Sequence, residues 1–178
     1  YAAAAARALE LGLNVLDSSI NYRYQRSEKA IGAGLAKAVE QGKVARDQVL
    51  LCTKGGFISG ETEPPTKEWF EATYLKPGIL KAEEIVAGCH CMTPKFLRHE
   101  VEQSLRNLGV ETIDVYHIHN PETQIPEVGE AEFYARHGVK VTFVGHPLLN
   151  TVHSHQNRET VLTKIGLYPS GGHLVKRV

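Results

Sequence analysis

The chain has 178 residues, 42% hydrophobic and 22% charged, enough for one sizeable core and ordinary for a globular domain. Twenty Lys plus Arg balance twenty Asp plus Glu, and a formal charge of zero argues against a nucleic-acid or anionic-membrane partner. No apolar run nears the roughly 20 residues that a bilayer span requires, and three cysteines suit a reducing, cytoplasmic setting better than a disulfide framework.

Ala2 to Leu11 is Ala- and Leu-rich and stops at Gly12, the pattern of a helix rather than of a signal peptide, which would need a basic start and a cleavage site. Leu13–Leu16 is a short apolar strand ending in Asp17. Ser27 then stands as the N-cap of a helix whose Ala30, Ile31, Gly34, Leu35 and Ala38 share one face. Val49–Cys52 is the next strand, leading to Lys54 and a Gly55–Gly56 turn. Residues 57–92 carry Pro64, Pro65 and Pro77 and read as a long irregular stretch, the length of a functional lid. Thr93–Pro94 signals another helix start, Leu97, Val101, Leu105 and Leu108 follow at helical spacing, and Gly109 ends it. A third strand, Thr112–Ile118, ends in His119.

Strands alternating with helices imply an α/β fold with a parallel sheet and right-handed crossovers. The spacing is that of a (β/α)8 TIM-type barrel, whose complete form takes about 250 residues, so this chain is expected to be a partial, incomplete barrel. Asp17, Tyr22, Lys54 and His119 stand at, or a few residues beyond, strand ends that lead towards helices. In such folds those positions meet at one end of the sheet, where active sites form. An acid, a phenol, an amine and an imidazole together make a proton-transfer site. The bland alternative is a strand-end salt bridge among ordinary loop polar groups.

The stretch from Gly12 through Asp17 to Tyr22, followed by Ser27-Glu28-Lys29-Ala30-Ile31-Gly32, resembles the aldo-keto reductase signature. Leu51-Cys-Thr-Lys-Gly55 resembles that family's lysine strand, and Ile113-Asp-Val-Tyr-His-Ile-His-Asn-Pro121 the strand ending in its histidine. The resemblance runs over about residues 2–130, with three motifs in order. It implies NADPH-dependent reduction of an aldehyde or ketone, a small-molecule carbonyl. Tyr22 would then donate the proton to the carbonyl oxygen, Lys54 would hold a positive charge beside the phenol, Asp17 would fix the ammonium, and His119 would orient the carbonyl or assist proton transfer. Asp17, Tyr22 and Asn120 would lie against the cofactor. The family commonly has a Tyr-Gly pair, whereas Tyr22 is followed by Arg23-Tyr24-Gln25. Tyr24 is thus a competing phenol, and the five-residue step from Asp17 favours Tyr22.

Two domains are expected: residues 1–130, a partial reductase barrel, and residues 131–178, a foreign or divergent segment with one strand and a short helix. Phe133 to Leu148 is similar to a stretch of lipid-A-disaccharide synthase, which makes a glycosyltransferase fragment the second reading of the chain. A non-catalytic remnant is the third, and the open barrel edge would favour self-association. The first barrel strand and the half carrying most of the family's NADPH phosphate and adenine contacts are expected to be missing. Cys89-His90-Cys91 with His99 has the residue types of a metal site but not the Cys-x₂₋₄-Cys spacing of structural zinc, so no metal is expected. His146, His153, His155 and His173 read as solvated, and Gly171-Gly172 as flexible. Trp69, Phe70 and Tyr74 suit either a substrate-facing lid or a cluster anchoring the long loop.

Overall fold

The computed structural model describes residues 1–61 and 65–137. The scattered histidines from His146 on, Gly171-Gly172, and the strand expected after residue 137 lie outside the described residues. The described chain forms two compact units: Tyr1–Gly55, Ser59–Pro65 and Val101–Tyr116 make the first, and Gly56–Ile58, Thr66–Glu100 and the described residues from His117 to His137 make the second.

In the first unit, α1 (Ala2–Glu10) forms because six alanines carry the best helix propensity, and it buries Ala6 and Leu9. Gly12, at φ +90°, lets the chain leave it. β1 (Val15–Asp17) starts two residues later than the apolar run suggests, since the Leu13 N–H is taken by the Ala8 carbonyl at 3.0 Å in the turn that ends α1. α2 (Arg26–Glu40) and β2 (Leu50–Gly55) follow. β2 is longer than expected and carries Lys54 within it. β1 and β2 are parallel, with Asp17 opposite Cys52. Lys54 is two residues beyond Cys52 and therefore on the same face as it. The sheet order is β1-β2-β3, where β3 (Val115–Ile118) is shorter at its start than the apolar pattern implies. The α/β architecture read from the sequence is the one observed.

Leu9, Leu16, Leu35, Ala38, Val49, Leu51 and Leu108 form this unit's core. Two glycines set the approach of its helices. A Cβ on Gly34 would lie 2.6 Å from the Ala2 carbonyl oxygen in α1, and one on Gly32 would overlap the Leu108 carbonyl. The α2 start differs from expectation. Ser27 lies inside the helix, and the N-cap is Gln25, in a left-handed conformation at φ +66°.

The second unit holds most of the long irregular stretch expected over residues 57–92, built of short helical pieces. α3 (Lys67–Phe70) is capped by Thr66, whose hydroxyl accepts from the Trp69 N–H at 3.1 Å, and runs into one π turn at Glu71–Leu75. The buried Tyr74 meets the rings of Trp69, Phe70, Phe96 and His99 at centroid distances of 5.4–5.7 Å. These aromatics anchor the loop rather than stand over it as a lid. α4 (Pro94–Leu108) starts at the Thr93–Pro94 signal in this unit and belongs to the first unit from Val101 on. Its buried face is Phe96, Leu97, Glu100, Ser104, Asn107 and Leu108, so the expected apolar stripe is turned and its polar residues go inward. α5 (Ile125–Val128) and α6 (Glu130–His137) close the described chain, and Phe133 is buried. Among the described residues no helix is long and apolar enough to cross a membrane.

Candidate active site

The end of β1 and the body of β2 put an acid and an amine in contact. Lys54 Nζ donates to Asp17 Oδ2 and to the Ser18 carbonyl oxygen, both at 2.6 Å. The lysine side chain is only 17% exposed, whereas that of Asp17 is 53% exposed. Beyond β1 the chain keeps pairing with β2: the Ser18 N–H donates to the Cys52 carbonyl and the Ile20 N–H to the Lys54 carbonyl. That pairing brings Tyr22 back beside the amine, with Lys54 Nζ 5.3 Å from the centre of its ring. Tyr22 itself is 41% exposed. Of the two phenols, Tyr22 is the one over which the ammonium sits.

Tyr22 is followed by three consecutive left-handed residues, Arg23, Tyr24 and Gln25, at φ +53°, +57° and +66°. None is glycine, and such a turn costs about 1–2 kcal/mol per residue. A buried network offsets the cost. The Gln25 amide donates to the Ser59 carbonyl at 3.1 Å and accepts from Asn107 at 3.0 Å. Asn107 also donates to the fully buried Glu28 at 2.8 Å, and Glu28 accepts from the Thr53 hydroxyl at 2.6 Å. Burial raises the Glu28 carboxyl above its ordinary value, and the donated hydrogen bonds of Asn107, Thr53 and Ser104 oppose that rise. Ser18 donates to Ser27 at 3.0 Å. Ser27 and Glu28 therefore grip Ser18 and Thr53, the neighbours of Asp17 and Lys54.

In the second unit, His119 follows the last residue of β3, and Asn120 takes a left-handed φ of +44° before Pro121. Asn tolerates that conformation better than most residues. The His119 carbonyl oxygen lies 2.7 Å from His90 Nε2, and the Phe57 ring meets the His90 and His119 rings edge-on at 4.9 and 5.1 Å. The structure thus gathers Asp17, Tyr22 and Lys54 in one unit and carries His119 and Asn120 in the other. Sequence reasoning missed Gln25, Asn107 and the locking role of Glu28, whose partners lie up to 82 residues away.

Cys89-His90-Cys91 is not arranged to ligate. His90 is fully buried with both ring nitrogens engaged by the protein, and Cys91 Sγ lies 3.4 Å from Thr93 Oγ1. Among the described residues no group of three or more His, Cys, Asp or Glu could hold a metal. Burial, then the charges of Asp17 and Asp114, push the Cys52 thiol up to about 11, and burial raises Cys91 as well. Both shifts disfavour the reactive thiolate. An open groove of about 820 Å³ in the first unit lies between α2 and the turn after α4, and neither Asp17, Tyr22 nor Lys54 lines it.

The aldo/keto reductase family matches the chain over residues 1–157. The chain belongs to that family. The match continues past residue 130, where the resemblance read from motifs stops. An uncharacterized oxidoreductase of Schizosaccharomyces pombe is 28% identical over 117 residues, 66% of this chain and 28% of that protein. An aldo-keto reductase of Bombyx mori in complex with NADP is 22% identical, covering 67% of this chain and 28% of its own, at a TM-score of 0.44. The holo form of a Bacillus halodurans aldo-keto reductase covers 74% of this chain and 36% of its own, with 22% identity and a TM-score of 0.43. A separate, short similarity exists to lipid-A-disaccharide synthase of Prochlorococcus marinus, 52% identical over 40 residues, which is 10% of that protein. The chain therefore spans about a third or less of the length of the relatives it matches.

Proposed function

We propose that this aldo/keto reductase chain carries the proton-transfer half of an NADPH-dependent carbonyl reduction, acting on an aldehyde or ketone. The observation supporting this is the Asp17–Lys54 pair at 2.6 Å with the ammonium 5.3 Å from the Tyr22 ring centre. The donor set suits a nicotinamide: beside the ammonium the Asp17 side chain is 53% exposed and Tyr22 41% exposed, and Asn120 would add its amide to the cofactor side. When bound, the dinucleotide supplies the hydride.

The residues supply the rest. Tyr22 donates its phenolic proton to the carbonyl oxygen as negative charge develops there. The Lys54 ammonium stabilises the phenolate left behind, and Asp17 with the Ser18 carbonyl keeps that ammonium from turning away. His119 orients the carbonyl. The three thiols are all free, which fits a reducing, cytoplasmic setting. An open edge on the partial barrel would drive self-association, a point that sedimentation would check.

Titration of the 178-residue chain with NADPH, following nicotinamide fluorescence, tests the reading. Saturable binding followed by aldehyde turnover that disappears in Tyr22→Phe is expected. A folded chain that binds no NADPH sinks it, and binding of a UDP-sugar instead would favour the glycosyltransferase reading suggested by the short similarity to lipid-A-disaccharide synthase.

A further inference from the structure

His90 lies in the irregular loop, far from every motif that carries the family signature, yet its ring touches the backbone of a proposed site residue. A carbonyl oxygen can only accept, so the 2.7 Å contact from His90 Nε2 to the His119 oxygen requires a proton on Nε2. Nδ1 is then bare, and the Gln124 side-chain amide donates to it at 3.0 Å. Both roles are filled by one neutral tautomer, and His90 is fully buried. The surroundings are built for this ring. Gly56 has φ +133°, and a Cβ there would lie 2.8 Å from Nε2. The Gly56 N–H donates to buried Glu100 at 3.0 Å, and its carbonyl accepts from the Cys91 N–H at 2.8 Å. Phe57 wedges edge-on against both the His90 and His119 rings.

We propose that His90 is a positioning residue: as the neutral Nε2–H tautomer, it holds the His119 carbonyl and so fixes where the His119 imidazole points. The catalytic consequence rests on the reductase reading above, because only there does the direction of that ring matter. His90 touches neither substrate nor cofactor in this scheme.

The test is nitrogen NMR of the histidine-labelled 178-residue chain at neutral pH, read before any activity is measured. His90 should show a protonated Nε2 and a bare Nδ1. His90→Gln places an amide donor near the Nε2 position and should leave the His119 ring signals where they are. His90→Asn and His90→Phe, which lack that donor, should shift them while the amide spectrum stays dispersed. Gln124→Met is the folding-safe companion: it removes the other partner and should leave the His119 ring unmoved. An Nδ1–H or charged His90, or His119 signals unchanged in His90→Phe, overturns the assignment. Where turnover is measurable, His90→Phe should lower kcat by about tenfold or more with the KM for cofactor unchanged, and His90→Gln should restore most of it. Correct ring signals in a chain that never binds NADPH would instead defeat the reductase reading and leave the tautomer in place.

Discussion

The two units solve the problem of holding reactive groups by different means. The first has regular strands and helices over an aliphatic core, then fastens its site with buried polar side chains: Glu28, Asn107 and Gln25. The second has little regular structure around its histidine and relies on aromatic packing, with Tyr74, Phe96 and Phe133 buried in its core. A β/α unit fixes its own backbone, so a few hydrogen bonds suffice to set side chains. An irregular loop has no ladder, and large rings must supply the order that hydrogen bonds supply elsewhere.

That contrast can be broken at its strongest point by Phe96→Ala. The ring is fully buried against Tyr74, and its loss should cost about 3–5 kcal/mol. Hydrogen exchange should rise across residues 66–100 more than across β1 and β2. Equal loss everywhere would mean that the two units unfold as one.

The matching break in the first unit is Glu28→Ala, which strands the Thr53 hydroxyl and the Asn107 amide and should cost about 2–4 kcal/mol in urea denaturation. Glu28 also gives the unit a pH signature. Its native carboxyl binds a proton more readily than the ordinary value of 4.5, so native chains hold that proton at pH values where unfolded chains have lost it. The stabilisation is fully present below 4.5 and is lost as pH rises through the raised native value. Buried His90 has the opposite sign: burial lowers it below 6.5, so its contribution weakens stability as pH falls below that point. Stability of Glu28→Gln relative to the parent, followed from neutral pH downwards, should drop steadily as the parent takes up its proton.

Gly32→Ala is a smaller test of the first unit, since the new methyl overlaps the Leu108 carbonyl and should cost about 1–3 kcal/mol. Thermal melts would show it. The smallest effect expected is for Lys29→Ala, which removes an exposed ion pair to Glu61 at 3.0 Å and should change stability by about 0.5 kcal/mol or less. A large loss there would mean that surface charge contributes to the first unit more than its buried network does.

The same contrast explains what could be read in advance. Asp17 and Lys54 were legible because short apolar runs ending in a polar residue mark parallel strands, and the register then brings the two together without further information. The start of α2 was not. Ser27 has the chemistry of a cap, but the helix begins earlier because distant Ser59 and Asn107 hold Gln25 in a left-handed turn. The residue pattern puts Leu13 and Thr112 at strand starts, whereas the strands begin at Val15 and at Val115. His90 was weighed only as a metal ligand, since its actual partner, a backbone carbonyl 29 positions away, leaves no trace in residue type. Residues 57–92 are irregular as expected, but what orders them is not legible for a related reason: Tyr74 meets rings on α4, a tertiary effect that leaves no local pattern.

The turn at Arg23-Tyr24-Gln25 has a consequence for chirality. Over three residues the backbone has the hand that an L-amino-acid chain resists, and it has it directly after the phenol. Here a mirror-image residue would be at home: a D-alanine at position 24, placed by chemical ligation, would relieve strain that every natural side chain but glycine must carry. The hand of the chain works against the fold at the one place where the fold presents Tyr22.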